Sequence, residues 1–199
     1  VLKDNLPNLS SSITLTQSQF TRGRSLSLPM GTKSHYLKPN DDPANINSCV
    51  EMFFQLGLIS DSRSRVLNEL CAQIIHEPCF TRLRTKEQLG YVVFSGTRET
   101  RTTFGLRVLI QSEYPSFYLV HRIQSFLEKM LIQLNEMEVE EFDKHVGALI
   151  NKKEQKFKNL KEERNTHWNR IASGYYDFER LTDDVDVLRE VTQLEASQF

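Results

Sequence analysis

The sequence predicts an α+β fold, in which an antiparallel sheet has helices packed on one face. Apolar and polar residues alternate with a period of two in residues 46–59, and strand-like runs return in residues 90–95 and 103–112. The second half of the chain instead carries apolar residues at helical spacing, most clearly in residues 115–134. A group of strands followed by a run of helices is typical of an α+β domain.

The first strand should have one buried face, because its even positions are mostly apolar. These positions are Ile46, Val50, Met52, Phe54, Leu56 and Leu58. The Pro29-Met30-Gly31 sequence predicts a turn, and residues 39–43 predict a loop. Residues 96–99 look like the turn of a hairpin that joins the two later strands.

The first helix is expected over residues 62–76, with Ser60 or Asp61 as its N-cap. Pro78 should end this helix, because proline lacks a backbone N–H. Residues 192–195 have the sequence of a capping box and should open a last helix. The helices predicted between these two cover residues 115–134, 139–153, 160–173 and 183–191.

Composition excludes several classes of protein. The 199 residues include 25 Lys and Arg against 26 Asp and Glu, and 39% are hydrophobic, which is ordinary for one or two globular domains. This charge balance gives no positive field for nucleic acid, and no run approaches the ~20 apolar residues that span a bilayer. We therefore expect neither nucleic acid nor membrane as a partner. Three cysteines suit a reducing compartment and predict a cytoplasmic protein.

No familiar catalytic or cofactor motif occurs in the sequence. None of the five histidines stands at the spacing of a zinc motif, and the glycines form neither a P-loop nor a dinucleotide fingerprint. We therefore predict no metal and no cofactor within this chain. Cys71 should pack in the core, whereas Cys79, at the start of a predicted loop, is a candidate for a modifiable thiol. The acidic residues at 183, 184 and 186 are expected to begin a helix rather than to bind calcium.

The stretch from residue 76 to residue 93 has unusual chemistry. Tyr91 follows Gly90 at the start of a strand, and Arg84 stands seven residues upstream. If the guanidinium and the phenol converged, they could bind an oxyanion or a peptide carbonyl. Spacing alone favours the alternative, a solvated loop with a core tyrosine.

Residues 84–91, Arg-Thr-Lys-Glu-Gln-Leu-Gly-Tyr, carry a resemblance to a known family, which residues 69–80, 93–96 and 105–113 extend. The sequence resembles the pitrilysin/insulinase family of zinc metallopeptidases from about residue 18 to its end. The long members of that family contain four α+β domains that close around a chamber, and the first domain carries the zinc.

The resemblance implies that this chain corresponds to the fourth domain, which lacks the zinc motif. It implies that Arg84 and Tyr91 contact the substrate at the scissile bond. The partners would be peptide substrates and the other domains of the same polypeptide, and a homo-oligomer is left open. Residues 1–18 would be a lead-in or a remnant of the preceding domain. Residues 19–199 would form the domain, truncated at its C-terminal end.

A second implied site binds anions. Lys156 and Lys158 match a stretch that supplies lysines to a polyphosphate site in similar enzymes. The alternative for these lysines is a solvated helix face.

The predicted function is that of a non-zinc domain of a metalloendopeptidase, which supplies substrate and transition-state contacts and is inactive alone. The alternative is a non-catalytic peptide-binding or scaffold member of the same fold family.

Overall fold

The computed structural model describes residues 25–199, so the lead-in predicted at 1–18 lies outside the described residues. Its sheet has three antiparallel strands in the order β1-β3-β2, where β1 is Ser48–Leu58, β2 is Val92–Glu99 and β3 is Thr103–Ser112. The helices within residues 25–199 are α1 (Ser62–Cys79), α2 (Ser116–Glu136), α3 (Val139–Glu154), α4 (Leu160–Ser173), α5 (Arg180–Leu188) and α6 (Gln193–Gln198). This arrangement confirms the predicted α+β class.

Helices α1 and α2 cover one face of the sheet. Val108 and Ile110 of β3 are fully buried in one cluster with Leu70 of α1 and Ile123 of α2. The opposite face of the sheet carries two stacked pairs of arginine and aromatic side chains. The Arg98 guanidinium lies 5.2 Å from the Phe53 ring centroid, and the Arg107 guanidinium lies 4.8 Å from the Phe94 ring centroid.

A bulge changes which face of β1 is buried. The pairing with β3 shifts between Gln55 and Gly57, so one extra residue enters the strand there. Because side chains alternate with a period of two, this residue moves the later even positions away from the core. The predicted buried positions Leu56 and Leu58 are therefore exposed, and Ile59 is buried instead.

The hairpin turn predicted at residues 96–99 is wrong. Strand β2 continues through these residues to Glu99, and the turn lies at residues 100–102, where the Thr100 N–H donates to the Thr103 carbonyl at 2.8 Å. Gly96 has a packing role instead. A Cβ added to Gly96 would lie 3.1 Å from the Phe94 ring.

The start of α1 was predicted and its end was not. Asp61 caps the helix by accepting a hydrogen bond from the Ser64 N–H at 3.2 Å. Pro78 lies inside α1, which continues without a break into a π-helical segment, Phe80–Lys86. Proline leaves the carbonyl four residues earlier without its usual helical donor, yet the α-helix continues through Pro78 to Cys79.

The remaining helix boundaries agree with the sequence predictions to within a few residues. Helix α4 ends before Gly174, whose φ of 76° is the left-handed conformation that favours glycine. Thr192 caps α6 by accepting from the Glu195 N–H at 3.3 Å, as the capping-box sequence predicts. Helix α5 begins at Arg180, three residues before its predicted start.

Candidate active site

The π-helical segment Phe80–Lys86 lies between α1 and β2 and carries Arg84, and Tyr91 stands immediately before β2. Leu83 within the segment and Leu89 after it are both buried in the core. Backbone hydrogen bonds close the segment. The Glu87 N–H donates to the Arg82 carbonyl at 2.9 Å, and the Leu89 N–H donates to the Leu83 carbonyl at 3.0 Å. A stretch that the sequence predicted as a loop is therefore regular and anchored.

Gly90 fixes the entry into β2. A Cβ added at Gly90 would lie 2.0 Å from the Gln111 carbonyl oxygen, so the backbone approaches β3 more closely than any other residue type allows. Gln88 also adopts a left-handed φ of 50°, which is uncommon for a residue with a side chain. These two features set the position of Tyr91, the next residue along the chain.

Arg84 and Tyr91 meet at this entry. The Arg84 guanidinium lies 5.5 Å from the Tyr91 ring centroid, within the range of a cation–π contact. Tyr91 is 86% exposed, so the core tyrosine of the alternative interpretation is wrong. Within residues 25–199 no carboxylate forms an ion pair with Arg84. The pair therefore offers a phenol and a guanidinium to an incoming acceptor.

Glu87 anchors the segment to α2. Its Oε2 accepts from Arg122 Nε at 2.9 Å, and its Oε1 accepts from Arg122 Nη2 at 2.8 Å and from Arg82 Nε at 2.6 Å. These hydrogen bonds, chiefly those from Arg122, lower the pKa of the Glu87 carboxyl, and the same pairing raises the pKa of Arg122. Glu87 is ionised at neutral pH and holds both arginines.

Of the two predicted anion-binding lysines, Lys156 lines a cavity of about 250 Å³, and Lys158 is not part of its lining. Lys156 lines it together with Lys152 and Lys153, and the carboxylates Glu69 and Glu162 line it as well. Lys156 and Lys158 stand in the non-helical stretch between α3 and α4, so the helix face considered for them is wrong. The side chains of both are exposed.

Lys153 and Asp184 belong to a buried ionic cluster that the sequence did not reveal. Asp184 Oδ1 accepts from Arg65 Nη2 at 2.5 Å, and Asp184 Oδ2 accepts from Lys153 Nζ at 3.0 Å. Lys153 also pairs with Glu69. The cluster joins α1, α3 and α5. Asp184 was expected in an acidic helix N-terminus, and no spacing rule pointed to its partners.

Cys79 is not the accessible thiol that was expected. It is 1% exposed at the end of α1, and burial raises the pKa of its thiol, partly offset by a hydrogen bond with Ser95. Cys71 packs against the core as predicted, and burial raises its pKa to about 11. The exposed cysteine is Cys49.

The described part of the chain holds no metal centre of its own. Within residues 25–199 no three His, Cys, Asp or Glu side chains converge in a group that could hold a metal ion. Over the same residues, none of the helices has the length and apolar character that crossing a membrane requires.

Several known proteins are similar to this chain. A family model described as PQQ synthase PqqF-like, C-terminal lobe domain 4, matches residues 70–168. The A-factor-processing enzyme of Saccharomyces cerevisiae is 40% identical over 199 residues, which are 100% of this chain and 19% of that protein. The insulin-degrading enzyme of Homo sapiens is 38% identical over 185 residues, 93% of this chain and 18% of that protein. These matches confirm the resemblance of the chain, over nearly its whole length, to one part of pitrilysin/insulinase-family proteins.

The solved structure of a pitrilysin agrees with this resemblance. It superposes with a TM-score of 0.68 at 26% identity, over 78% of this chain and 17% of that one. A further relative is the protein named putative zinc protease mug138 of Schizosaccharomyces pombe, which is 38% identical over 92% of this chain and 19% of that protein. The chain spans about a fifth of the length of the curated relatives that it matches. The matched region 70–168 contains Arg84, Tyr91, Lys156 and Lys158.

Proposed function

We propose that residues 19–199 form the non-zinc, C-terminal domain of a zinc metalloendopeptidase and that Arg84 and Tyr91 contact the peptide at the scissile bond. The observation that carries this proposal is the Arg84 guanidinium held against the exposed ring of Tyr91. Both residues lie in the run that resembles the family most closely.

Each side chain has a defined part in the proposed reaction. Attack of water on a peptide carbonyl builds negative charge on the carbonyl oxygen, which hydrogen-bond donors stabilise. Tyr91 would donate its hydroxyl to this oxyanion. Arg84, which has no carboxylate partner within residues 25–199, would bind the substrate backbone or the same oxyanion.

Residues 25–199 do not fit a zinc site, so the metal and the catalytic base would belong to another part of a longer protein. The chain alone should therefore cleave no peptide. Its partners would be peptide substrates and the other domains of the same polypeptide. Cysteine usage and family resemblance support a cytoplasmic protein, although one plant relative is named peroxisomal.

The proposal is tested in the full-length protein that carries this chain, by hydrolysis of a fluorogenic peptide. Tyr91→Phe should lower kcat by about 10²- to 10³-fold, the usual cost of one oxyanion donor. Arg84→Ala should lower kcat/KM, and Arg84→Lys should restore only part of it because lysine lacks the planar fork. Tyr36→Phe removes the hydroxyl of another exposed tyrosine and should change neither constant.

Unchanged kcat in both Tyr91→Phe and Arg84→Ala would reject the proposal. The domain would then act as a peptide-binding or scaffold module, which is the alternative function for this fold. Zinc-dependent cleavage by the 199-residue chain alone would contradict the proposal that the metal and the catalytic base belong to another part of a longer protein.

We propose a second site, for anions, at Lys156 and Lys158. Its support is the exposed position of both lysines and the cavity that Lys156 lines together with Lys152. Joint replacement of Lys156 and Lys158 by alanine should weaken the effect of added polyphosphate on peptide hydrolysis. Replacing Lys129, an exposed lysine of α2, should not. An equal response in both variants would reject the site.

A further inference from the structure

We propose that Glu87 is a positioning residue, which acts on the reaction by holding residues 84–91, the stretch that begins with Arg84 and ends with Tyr91. This inference rests on the proposed function, because it assumes that those two residues contact the substrate. Glu87 stands between them in sequence, three residues after Arg84 and four residues before Tyr91.

The partner of Glu87 on α2 is Arg122, which stands beside residues of the buried core. Arg122 lies on α2 next to Ile123 and three residues after Leu119, and both of these neighbours are fully buried. The two parallel hydrogen bonds between Arg122 and Glu87 have the fork geometry that adds orientation to binding strength. Both side chains are largely buried, with 22% and 16% exposed, so solvent screens the pair only in part.

We call the hydrogen bonds of Glu87 to Arg122 and Arg82 the clamp. On one side the clamp holds α2, and on the other it holds the π-helical segment. Glu87 accepts from Arg82 of the segment, and its backbone N–H closes the final turn on the Arg82 carbonyl. Buried Leu83 and Leu89 fix the segment on either side. Between these two leucines, Glu87 is the side chain that ties the segment to a neighbouring helix through ionic hydrogen bonds.

The clamp also leaves Arg84 free. Glu87 is the only acidic residue between Phe80 and Tyr91 in the sequence. Arg82 and Arg122 occupy both of its oxygens. A carboxylate released from this pairing would be the nearest one in sequence to the Arg84 guanidinium. Glu87 thus orders the segment and keeps its own charge away from the substrate-binding cation.

The test uses the full-length protein with Glu87→Gln, Arg122→Gln and the exchange Glu87→Arg/Arg122→Glu. Glu87→Gln should lower kcat by about 10- to 100-fold, the scale expected when reacting groups are displaced by about 1 Å. The KM should change less than kcat. The double variant Glu87→Arg/Arg122→Glu should recover part of the lost kcat, because it restores an ion pair between the same two positions.

The matched control is Glu195→Gln. Glu195 also receives two hydrogen bonds from one arginine, Arg63, but it ties α6 to the first turn of α1, at the end of that helix away from Arg84. This variant should keep the wild-type kcat. A loss equal to that of Glu87→Gln would overturn the inference, since it would reflect general destabilisation.

The role of Glu87 can be tested by asking whether the losses in kcat from separate substitutions multiply when they are combined. A positioning role predicts that they do not. If Glu87 acts through Arg84 and Tyr91, then adding Glu87→Gln to Arg84→Ala/Tyr91→Phe should slow the reaction by no more than about a further twofold. Fully multiplied losses would overturn the inference. Hydrogen–deuterium exchange should also show faster exchange of the amides at 87 and 89 in Glu87→Gln, and unchanged exchange would count against the clamp.

The two proposals can fail separately. Wild-type rates in Arg84→Ala and Tyr91→Phe would reject the proposed function, and with it any effect of Glu87 on catalysis. Large losses in those variants with a wild-type rate in Glu87→Gln would keep the proposed function and overturn the positioning role.

Discussion

The Arg65 guanidinium lies 2.5 Å from a carboxylate oxygen of Asp184, and the two side chains are only 5% and 1% exposed. Lys153 reaches the other oxygen of Asp184, and Arg180 approaches it at 4.0 Å. Removing one partner from a buried pair leaves an uncompensated charge away from water. Asp184 therefore holds three helices together through their cations.

Asp184→Asn should lower the free energy of unfolding by about 3–5 kcal/mol, because it leaves the buried Arg65 guanidinium without its carboxylate partner. Urea unfolding of the 199-residue chain, followed by far-ultraviolet circular dichroism, measures this change. Asp186→Asn is the control, since Asp186 lies two residues away and is exposed. It should change the free energy by less than about 0.5 kcal/mol. Equal effects would contradict the role of the buried cluster.

This cluster marks a limit of reasoning from sequence. Arg65 and Asp184 are 119 residues apart, and both occur in helices whose charged residues would ordinarily face solvent. The apolar spacing of the helices predicted that they form. It did not predict which polar side chains would meet once α1, α3 and α5 packed together.

Gly90→Ala should disrupt the entry into β2. The added Cβ would meet the Gln111 carbonyl oxygen, so the backbone must move and Tyr91 must move with it. We expect a loss of stability of more than about 1 kcal/mol, together with a loss of peptidase activity in the full-length protein.

Gly147→Ala is the matched control, because Gly147 lies within α3 and an added Cβ meets nothing within 4 Å. It should stabilise the chain by roughly 1 kcal/mol, the usual advantage of alanine over glycine in a helix. Thermal unfolding of Gly90→Ala and Gly147→Ala measures the two changes in stability. Two destabilised variants would show that the contact at Gln111 is not the cause.

Asp61 should give α1 a stability that depends on pH. Hydrogen bonds from the Ser64 hydroxyl and backbone N–H lower the pKa of the Asp61 carboxyl below its ordinary value. The ionised cap stabilises the fold above the unfolded-state pKa, and this contribution is lost as pH falls through the lower folded-state pKa. Asp61→Ala should cost about 1 kcal/mol at pH 7. This cost should shrink below about pH 4.

Asp61→Asn keeps a capping oxygen but cannot ionise. It should retain most of the stability at pH 7 and lose the pH dependence, which urea unfolding at several pH values measures. A cost for Asp61→Ala that stays constant down to pH 3 would contradict the ionic part of this cap.

The three cysteines should differ in reactivity. Cys49 is exposed, whereas burial raises the thiol pKa of both Cys71 and Cys79. Ellman's reagent at pH 8 should therefore modify one thiol quickly in the native chain, and Cys49→Ser should remove this fast phase. The other two should react after unfolding. A fast phase that persists in Cys49→Ser would contradict the burial of Cys79.

The predictions that held rest on local rules, and those that failed depend on tertiary contacts. Helical spacing and the caps at Asp61, Gly174 and Thr192 placed the helices to within a few residues. The bulge near Leu56 and the extension of β2 through Gly96 depend on pairing with β3, which no local pattern encodes. The prediction that Pro78 ends α1 was wrong, because the helix continues through the proline to Cys79 and then into the π-helical segment.

The candidate site was only partly predictable for the same reason. The sequence suggested that Arg84 and Tyr91 could converge, and the structure brings them together. Between them in sequence lie the end of the π-helical segment and Glu87, which bonds to Arg122, 35 residues away. Neither feature follows from the spacing of the two residues. Their role in catalysis stays a prediction.

The most direct test of the central claim compares two losses caused by Tyr91→Phe in the full-length protein. One is the fall in kcat/KM for a peptide, and the other is the fall in affinity for a phosphinic peptide that mimics the tetrahedral intermediate. If Tyr91 stabilises the transition state, both should fall by about the same factor, 10²- to 10³-fold, while Tyr36→Phe changes neither. A wild-type kcat/KM and a wild-type affinity for the phosphinic peptide in Tyr91→Phe would contradict the account.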